Sequence, residues 1–127
     1  MKIIGIGTDI VSITRIESIW DRFGVTFARR ILTPTELLEL PKISKPVHFL
    51  AKRFAAKEAF AKALGTGFRQ GGIWLTEIGV VNDSLGKPEF IFRGNAASEV
   101  ALRGITESHL SLSDEKEFAV AFVILIG

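Results

Sequence analysis

Between Pro46 and Gly65 the chain reads PVHFLAKRFAAKEAFAKALG, and this stretch restricts the fold more than any other. Pro46 suits the first turn of a helix and Gly65-Thr66-Gly67 stops one, which predicts a helix running to about Leu64. Small and apolar residues occur almost all round it, so it must lie inside, covered on several sides. At about 100° per residue, Val47, Ala51, Phe54, Ala55, Ala61 and Gly65 fall within roughly 60° of Glu58, with Lys62 about 40° away. A carboxylate and an ammonium in an apolar stripe are costly unless partnered. Three readings are open: an exposed i, i+4 pair, a buried structural ion pair, or part of a functional site. The first explains least, because an exposed pair needs neither the alanines nor the phenylalanine around it.

A second segment offers Glu58 a partner. Residues 2–11, KIIGIGTDIV, alternate as a strand, with Ile4, Ile6, Thr8 and Ile10 on one face. Ile3, Gly5, Gly7, Asp9 and Val11 occupy the other, so two glycines clear bulk beside Asp9 and let a helix or a ligand approach. Asp9 either caps the next helix or meets Glu58 across that groove. Two carboxylates there would make a hard-oxygen site for Mg²⁺, completed by water and a substrate phosphate. Lys62, one turn on, would reach a phosphate oxygen as a point charge.

The remaining elements follow from periodicity and punctuation. Residues 12–24 have helical spacing, with Ile13, Ile16, Trp20, Phe23 and then Phe27 as a core stripe. Arg15, Ile19 and Arg22 share another face, suited to an acidic, partly apolar partner or simply solvated. Thr33-Pro34-Thr35-Glu36 opens a short helix with a capping box. A turn-rich stretch with Gly71 and Gly72 follows the long helix. Residues 76–82 and 89–92 read as a hairpin, 94–103 as a helix, and 108–113 with 117–126 as a last hairpin. The order βααα(α)ββαββ is α+β, a small, mostly antiparallel sheet against a long central helix. The final strand is apolar on both faces, so both should be covered, and a homo-oligomer with the sheet edge at the interface fits.

Composition sets the outer bounds. The 127 residues make one domain, 1–127, and the absence of cysteine excludes disulfides and thiolate metal sites. The apolar N-terminus lacks the basic region and cleavage site of a signal peptide, and Phe118–Ile126 is about half the length of a membrane helix. The expectation is a soluble protein of the cytoplasm. Residues 1–67 carry eleven Lys/Arg against six Asp/Glu, +5, and residues 68–127 carry five against eight, −3. The N-terminal half is therefore expected to meet something anionic.

Three segments carry a family resemblance: GIGTDIV at 5–11, RFAAKEAFAKALGTG at 53–67 and HLSLSDEKEFAVA at 109–121. Together with the NDSLGKP turn and the chain length, they resemble the holo-acyl-carrier-protein synthases, small phosphopantetheinyl transferases. The resemblance implies the 4′-phosphopantetheinyl transferase fold, a homotrimer with active sites between subunits, coenzyme A as co-substrate and an acidic acyl carrier protein as partner. It implies Asp9 and Glu58 as magnesium ligands and Lys62 as the phosphate contact. Gly65, Thr66 and Gly67 match the turn near the diphosphate, whose backbone N–H groups could cradle phosphate. Arg53 and His109 match positions near the 3′-phosphate. Arg15, with Ile19, Arg22, Arg29 and Arg30, matches the basic surface turned to the carrier. The chain departs from the pattern at Asp114, where many relatives have a second histidine. Two rival readings are a coenzyme A-dependent acyltransferase, needing neither magnesium nor bisphosphate release, and an RNA-binding module. Against the latter, tyrosine is absent and the aromatics fall mainly on core stripes. No membrane partner is expected.

Overall fold

The computed structural model describes residues 1–68 and 72–127, so the Gly71 part of the expected turn lies outside the described residues. In order, the elements are β1 (Ile3–Ser12), α1 (Ile13–Phe23), α2 (Val25–Ile31), α3 (Pro34–Glu39) and α4 (Pro46–Leu64). Then come β2 (Ile78–Asn82), β3 (Pro88–Phe92), α5 (Gly94–Leu102), β4 (Glu107–Asp114) and β5 (Phe118–Ile126). Short 3₁₀ turns at Leu40–Lys42 and Leu75–Glu77 were not foreseen. All strand pairs are antiparallel, but they form two sheets rather than one: β1-β5-β4 and the β2-β3 hairpin. The split has a packing cause. Phe90 and Phe92 of β3 turn to Phe60 of α4, at ring-centroid distances of 5.5 and 4.7 Å, which holds the hairpin against the central helix.

The helix α4 fits the three-stranded sheet through small residues. Ala55, Ala56 and Ala59 are fully buried against the inward side chains of β5, which are Ala119, Ala121, Val123 and Leu125. On β1 the approach is closer still. A Cβ at Gly7 would overlap the Ala59 carbonyl oxygen, and one at Gly5 the Ala63 carbonyl oxygen. The glycines of the first strand thus admit a helix backbone, and they fix the distance between β1 and α4.

Two expectations need correction. Phe23 is 51% exposed rather than part of the core stripe, because the chain turns at Gly24 (φ 54°) and leaves the ring outside, 5.1 Å from the Arg22 guanidinium. The other four stripe residues are buried or packed against the core. Within one chain the outer face of the three-stranded sheet is also uncovered: Ile6, Ile10, Phe118 and Phe122 are exposed there. The apolar surface left open is therefore the sheet's face, not its edge. No helix among the described residues is long and apolar enough to cross a membrane.

Candidate active site

Asp9 lies on the inner face of β1, opposite Ala121, with its side chain towards α4. It does not cap α1, because Ser12 does so, its hydroxyl accepting from the Arg15 N–H at 3.2 Å. Lys62 donates to Asp9 Oδ1 at 3.1 Å. Glu58 is half-buried between them, and burial first, then the Asp9 carboxylate, pushes its carboxyl above the usual range, while Lys62 pulls it back. Asp9 and Glu58 line a 260 Å³ cavity whose walls include Phe54, Ile16, Ile19 and Arg15. Two acids that repel one another in a half-desolvated cavity, with one exposed ammonium beside them, suit a divalent cation and a phosphate oxygen. No group of three or more His, Cys, Asp or Glu that could hold a metal occurs among the described residues.

Lys62 is not the buried charge that the helix pattern suggested: its side chain is 56% exposed. The deeply buried charge is Lys57, which is 0% exposed and which the sequence reading missed. Its ammonium donates to the Ile31 carbonyl and, at 2.6 Å, to Glu36 Oε1. Glu36 also accepts from the N–H groups of Thr33 (2.8 Å) and Val80 (2.9 Å). Its expected capping box is present, but the same carboxylate also ties α3, β2 and α4 together. Burial lowers the Lys57 pKa, and Glu36 opposes that shift.

The other sequence-predicted residues divide. Gly65 takes the left-handed conformation (φ 84°) that closes α4. The N–H groups of Gly65 and Gly67 donate to α4 carbonyls, and the Thr66 hydroxyl to the Gly67 carbonyl. A phosphate contact through those two N–H groups would compete with the helix cap. Arg15, Arg22, Arg29 and Arg30 are exposed and Ile19 is half-buried. Arg30 and Ile19 also border an apolar cavity of 370 Å³ with Phe23, Phe54 and Trp74. Arg53 and His109 are not brought to Asp9 within one chain. Arg53 is 5% exposed, stacked 4.4 Å over Phe49, its Nε 3.8 Å from Glu36 Oε2 and without a hydrogen-bond partner. His109 pairs with Ile124, which pairs with Ile6, so its side chain is on the outer face two strands from Asp9.

With this geometry, comparison with known proteins is informative. The sequence profile of the 4′-phosphopantetheinyl transferase superfamily matches residues 5–123, and the chain belongs to that superfamily of enzymes. Within it, the chain is 53% identical over 122 residues to the holo-[acyl-carrier-protein] synthase of Neisseria meningitidis serogroup A, covering 96% of this chain and 97% of that one. It is 53% identical over 124 residues to that of Halorhodospira halophila, covering 98% of each. The crystal structure of the Neisseria meningitidis holo-[acyl-carrier-protein] synthase superposes with a TM-score of 0.94 at 52% identity, over 99% of this chain and 100% of that one. The Bacillus anthracis synthase, in complex with coenzyme A (3′,5′-ADP), has a TM-score of 0.80 at 40% identity, over 97% and 96%.

Proposed function

We propose that this chain transfers the 4′-phosphopantetheine arm of coenzyme A to a serine of an apo-acyl carrier protein, releasing adenosine 3′,5′-bisphosphate, in fatty acid synthesis in the cytoplasm. The observation that carries this reading is that Asp9 and Glu58 line one cavity bordered by Arg15 and Ile19, with the Lys62 ammonium 3.1 Å from Asp9 Oδ1. The high identity to holo-[acyl-carrier-protein] synthases over nearly the whole chain supports it.

Asp9 and Glu58 would hold the magnesium ion, which when bound supplies charge neutralisation at the diphosphate. Lys62, exposed beside them, meets a phosphate oxygen and stabilises the charge that develops as the bisphosphate departs. The half-buried Phe54 and the buried Ile16 exclude water from one side of the reacting phosphorus. The carrier's serine arrives from the side lined by Arg15, whose guanidinium suits the acidic surface of the carrier. Arg22, Arg29 and Arg30 continue that surface.

The chain acts as a homotrimer with sites between subunits. The uncovered outer sheet face needs an apolar neighbour, and Arg53 and His109 lie too far round the fold to serve Asp9 on the same chain. A neighbouring copy would supply them. Mass spectrometry of an apo-acyl carrier protein incubated with this protein, coenzyme A and Mg²⁺ tests the reading. A serine-linked gain of one phosphopantetheine is expected, lost in Asp9→Ala and in Glu58→Ala. Unmodified carrier with the parent protein, or full activity in either variant, refutes it.

A further inference from the structure

The helix α2 is seven residues long, too short to be stable by itself, and its last turn carries the exposed pair Arg29-Arg30. Where those guanidinium groups point therefore depends on what fixes the end of the helix. The last four carbonyls of a helix have no partner within it. In α2, two of them are taken by side chains from elsewhere in the chain. The Lys57 ammonium of α4 donates to the Ile31 carbonyl, and the indole N–H of Trp74 donates to the Arg30 carbonyl at 3.1 Å. Lys57 holds the helix end to the core, whereas Trp74, 44% exposed, holds it at the surface.

Trp74 is itself anchored. Its backbone N–H donates to Glu77 Oε1 at 3.0 Å, and Glu77 Oε2 accepts from the Asn95 N–H at 2.7 Å in the first turn of α5. The indole ring meets Phe68 edge-on, with centroids 5.6 Å apart and planes at 69°. Trp74 also borders two cavities: Arg30 lines the one of 370 Å³, and Arg29, with Arg93, lines another of 600 Å³. A half-exposed indole can give its N–H to water. This one gives it to the peptide that bears one of the two basic side chains, between the two cavities those side chains line.

We propose that Trp74 is a positioning residue for the carrier protein: its indole N–H, by holding the Arg30 carbonyl, aims Arg29 and Arg30 at the carrier's acidic surface. The proposal rests on the function above and adds what keeps that basic pair in place. The edge-on contact with Phe68 fixes the plane of the indole, and Glu77 fixes its backbone. Trp74 takes no part in the transfer step. An arginine pair that is set before the carrier arrives loses less freedom on binding it.

The test is steady-state transfer with the carrier and coenzyme A varied separately. Trp74→Phe keeps a ring against Phe68 and loses only the N–H, at a side chain exposed enough for the fold to tolerate the change. Its KM for the carrier should rise about three- to tenfold, the range that one neutral hydrogen bond supplies. Both kcat and the KM for coenzyme A should stay within about twofold of the parent. In a background of Arg29→Ala with Arg30→Ala, which leaves the Arg30 carbonyl in place, Trp74→Phe should raise the carrier KM no further. A purely structural role would lower the melting temperature and raise the carrier KM equally in both backgrounds. That outcome, an unchanged carrier KM, or a rise shared with coenzyme A overturns the proposal. Transfer absent in the parent protein would instead overturn the proposed function. In that case, calorimetric titration with apo-acyl carrier protein reads the arginine pair directly. Weaker binding in Trp74→Phe would support the positioning, and equal or absent binding would overturn it.

Discussion

Replacing Gly7 with alanine perturbs fold and site through one contact. The added methyl would overlap the Ala59 carbonyl oxygen and sit 2.7 Å from the Ala63 nitrogen. Both are α4 backbone atoms, so no side chain can rotate away. An ordinary contact needs about 3.5–4.0 Å, so relieving the overlap with the Ala59 carbonyl oxygen requires β1 and α4 to separate by roughly 1.5–2 Å. Overpacking of this kind costs about 1–3 kcal/mol, and rigid backbone on both sides puts Gly7 at the upper end. The lower chain entropy of unfolded alanine offsets only about 0.4–1 kcal/mol of that. At a fixed protein concentration the melting temperature should fall by on the order of 10 °C. Asp9 lies two residues along the same face, and Glu58 adjoins Ala59, so the same displacement parts the two carboxylates. A misplacement of about 1 Å at a reacting centre costs on the order of 10²-fold in rate. Calorimetry and mass-spectrometric transfer assays, run on one preparation, measure both effects. A Gly7→Ala protein as stable and as active as its parent would show that the glycine contact does not set the Asp9–Glu58 geometry.

Glu58→Gln removes a carboxylate whose proton affinity burial and Asp9 raise. Such a group contributes stability below the ordinary glutamate range and loses it as pH rises through the folded value. The variant should therefore melt above the parent at about pH 7 and level with it at about pH 4, while losing magnesium-dependent transfer; a lower melt at neutral pH contradicts the assignment. Lys57→Met strands the Glu36 carboxylate in the core and should cost about 3–5 kcal/mol by urea unfolding. Adding Glu36→Gln should recover part of that loss, and no recovery would mean that the pair is not the source of the cost. Arg15→Glu should raise the KM for the carrier and flatten its salt dependence without changing the KM for coenzyme A; an equal rise for both takes Arg15 off the carrier surface. Lys62→Ala should lower kcat more than carrier affinity, and a loss confined to carrier affinity would place Lys62 elsewhere.

Local rules made much of the fold legible. The alternation of residues 2–11, the Thr33–Glu36 capping box, Pro46 and Gly65 at the ends of the long helix, and the two late hairpins each depend on neighbours in sequence. Asp9, Glu58 and Lys62 were legible because glycines and alanines mark where backbone comes close, and charges among them need a reason. Long-range partners were not. Glu36 was read as a cap because its cap partner is three residues away, whereas Lys57 is 21 residues away and Val80 is 44. A signal for Lys57 was present, since a helix that is apolar almost all round leaves few exposed directions for its charged side chains. His48 and Asp114, hydrogen-bonded at 2.8 Å though 66 residues apart, had no such signal. The exposed Phe23 was misread because periodicity does not say where the chain will turn away, and Gly24 turns it one residue later. The division into two sheets depended on Phe60 choosing β3 as its neighbour.

If the proposed homotrimer covers the bare side of the three-stranded sheet, the properties of this protein depend on how much of it is present. With Ile6, Ile10, Phe118 and Phe122 facing water, a lone copy forgoes part of the hydrophobic stabilisation available to its sequence. Under the proposed assembly, mass action links folding to association, so dilution should lower the melting temperature and thin out working catalytic centres together. Potency per chain would then rise with concentration, a behaviour that no single copy's active-site geometry could produce.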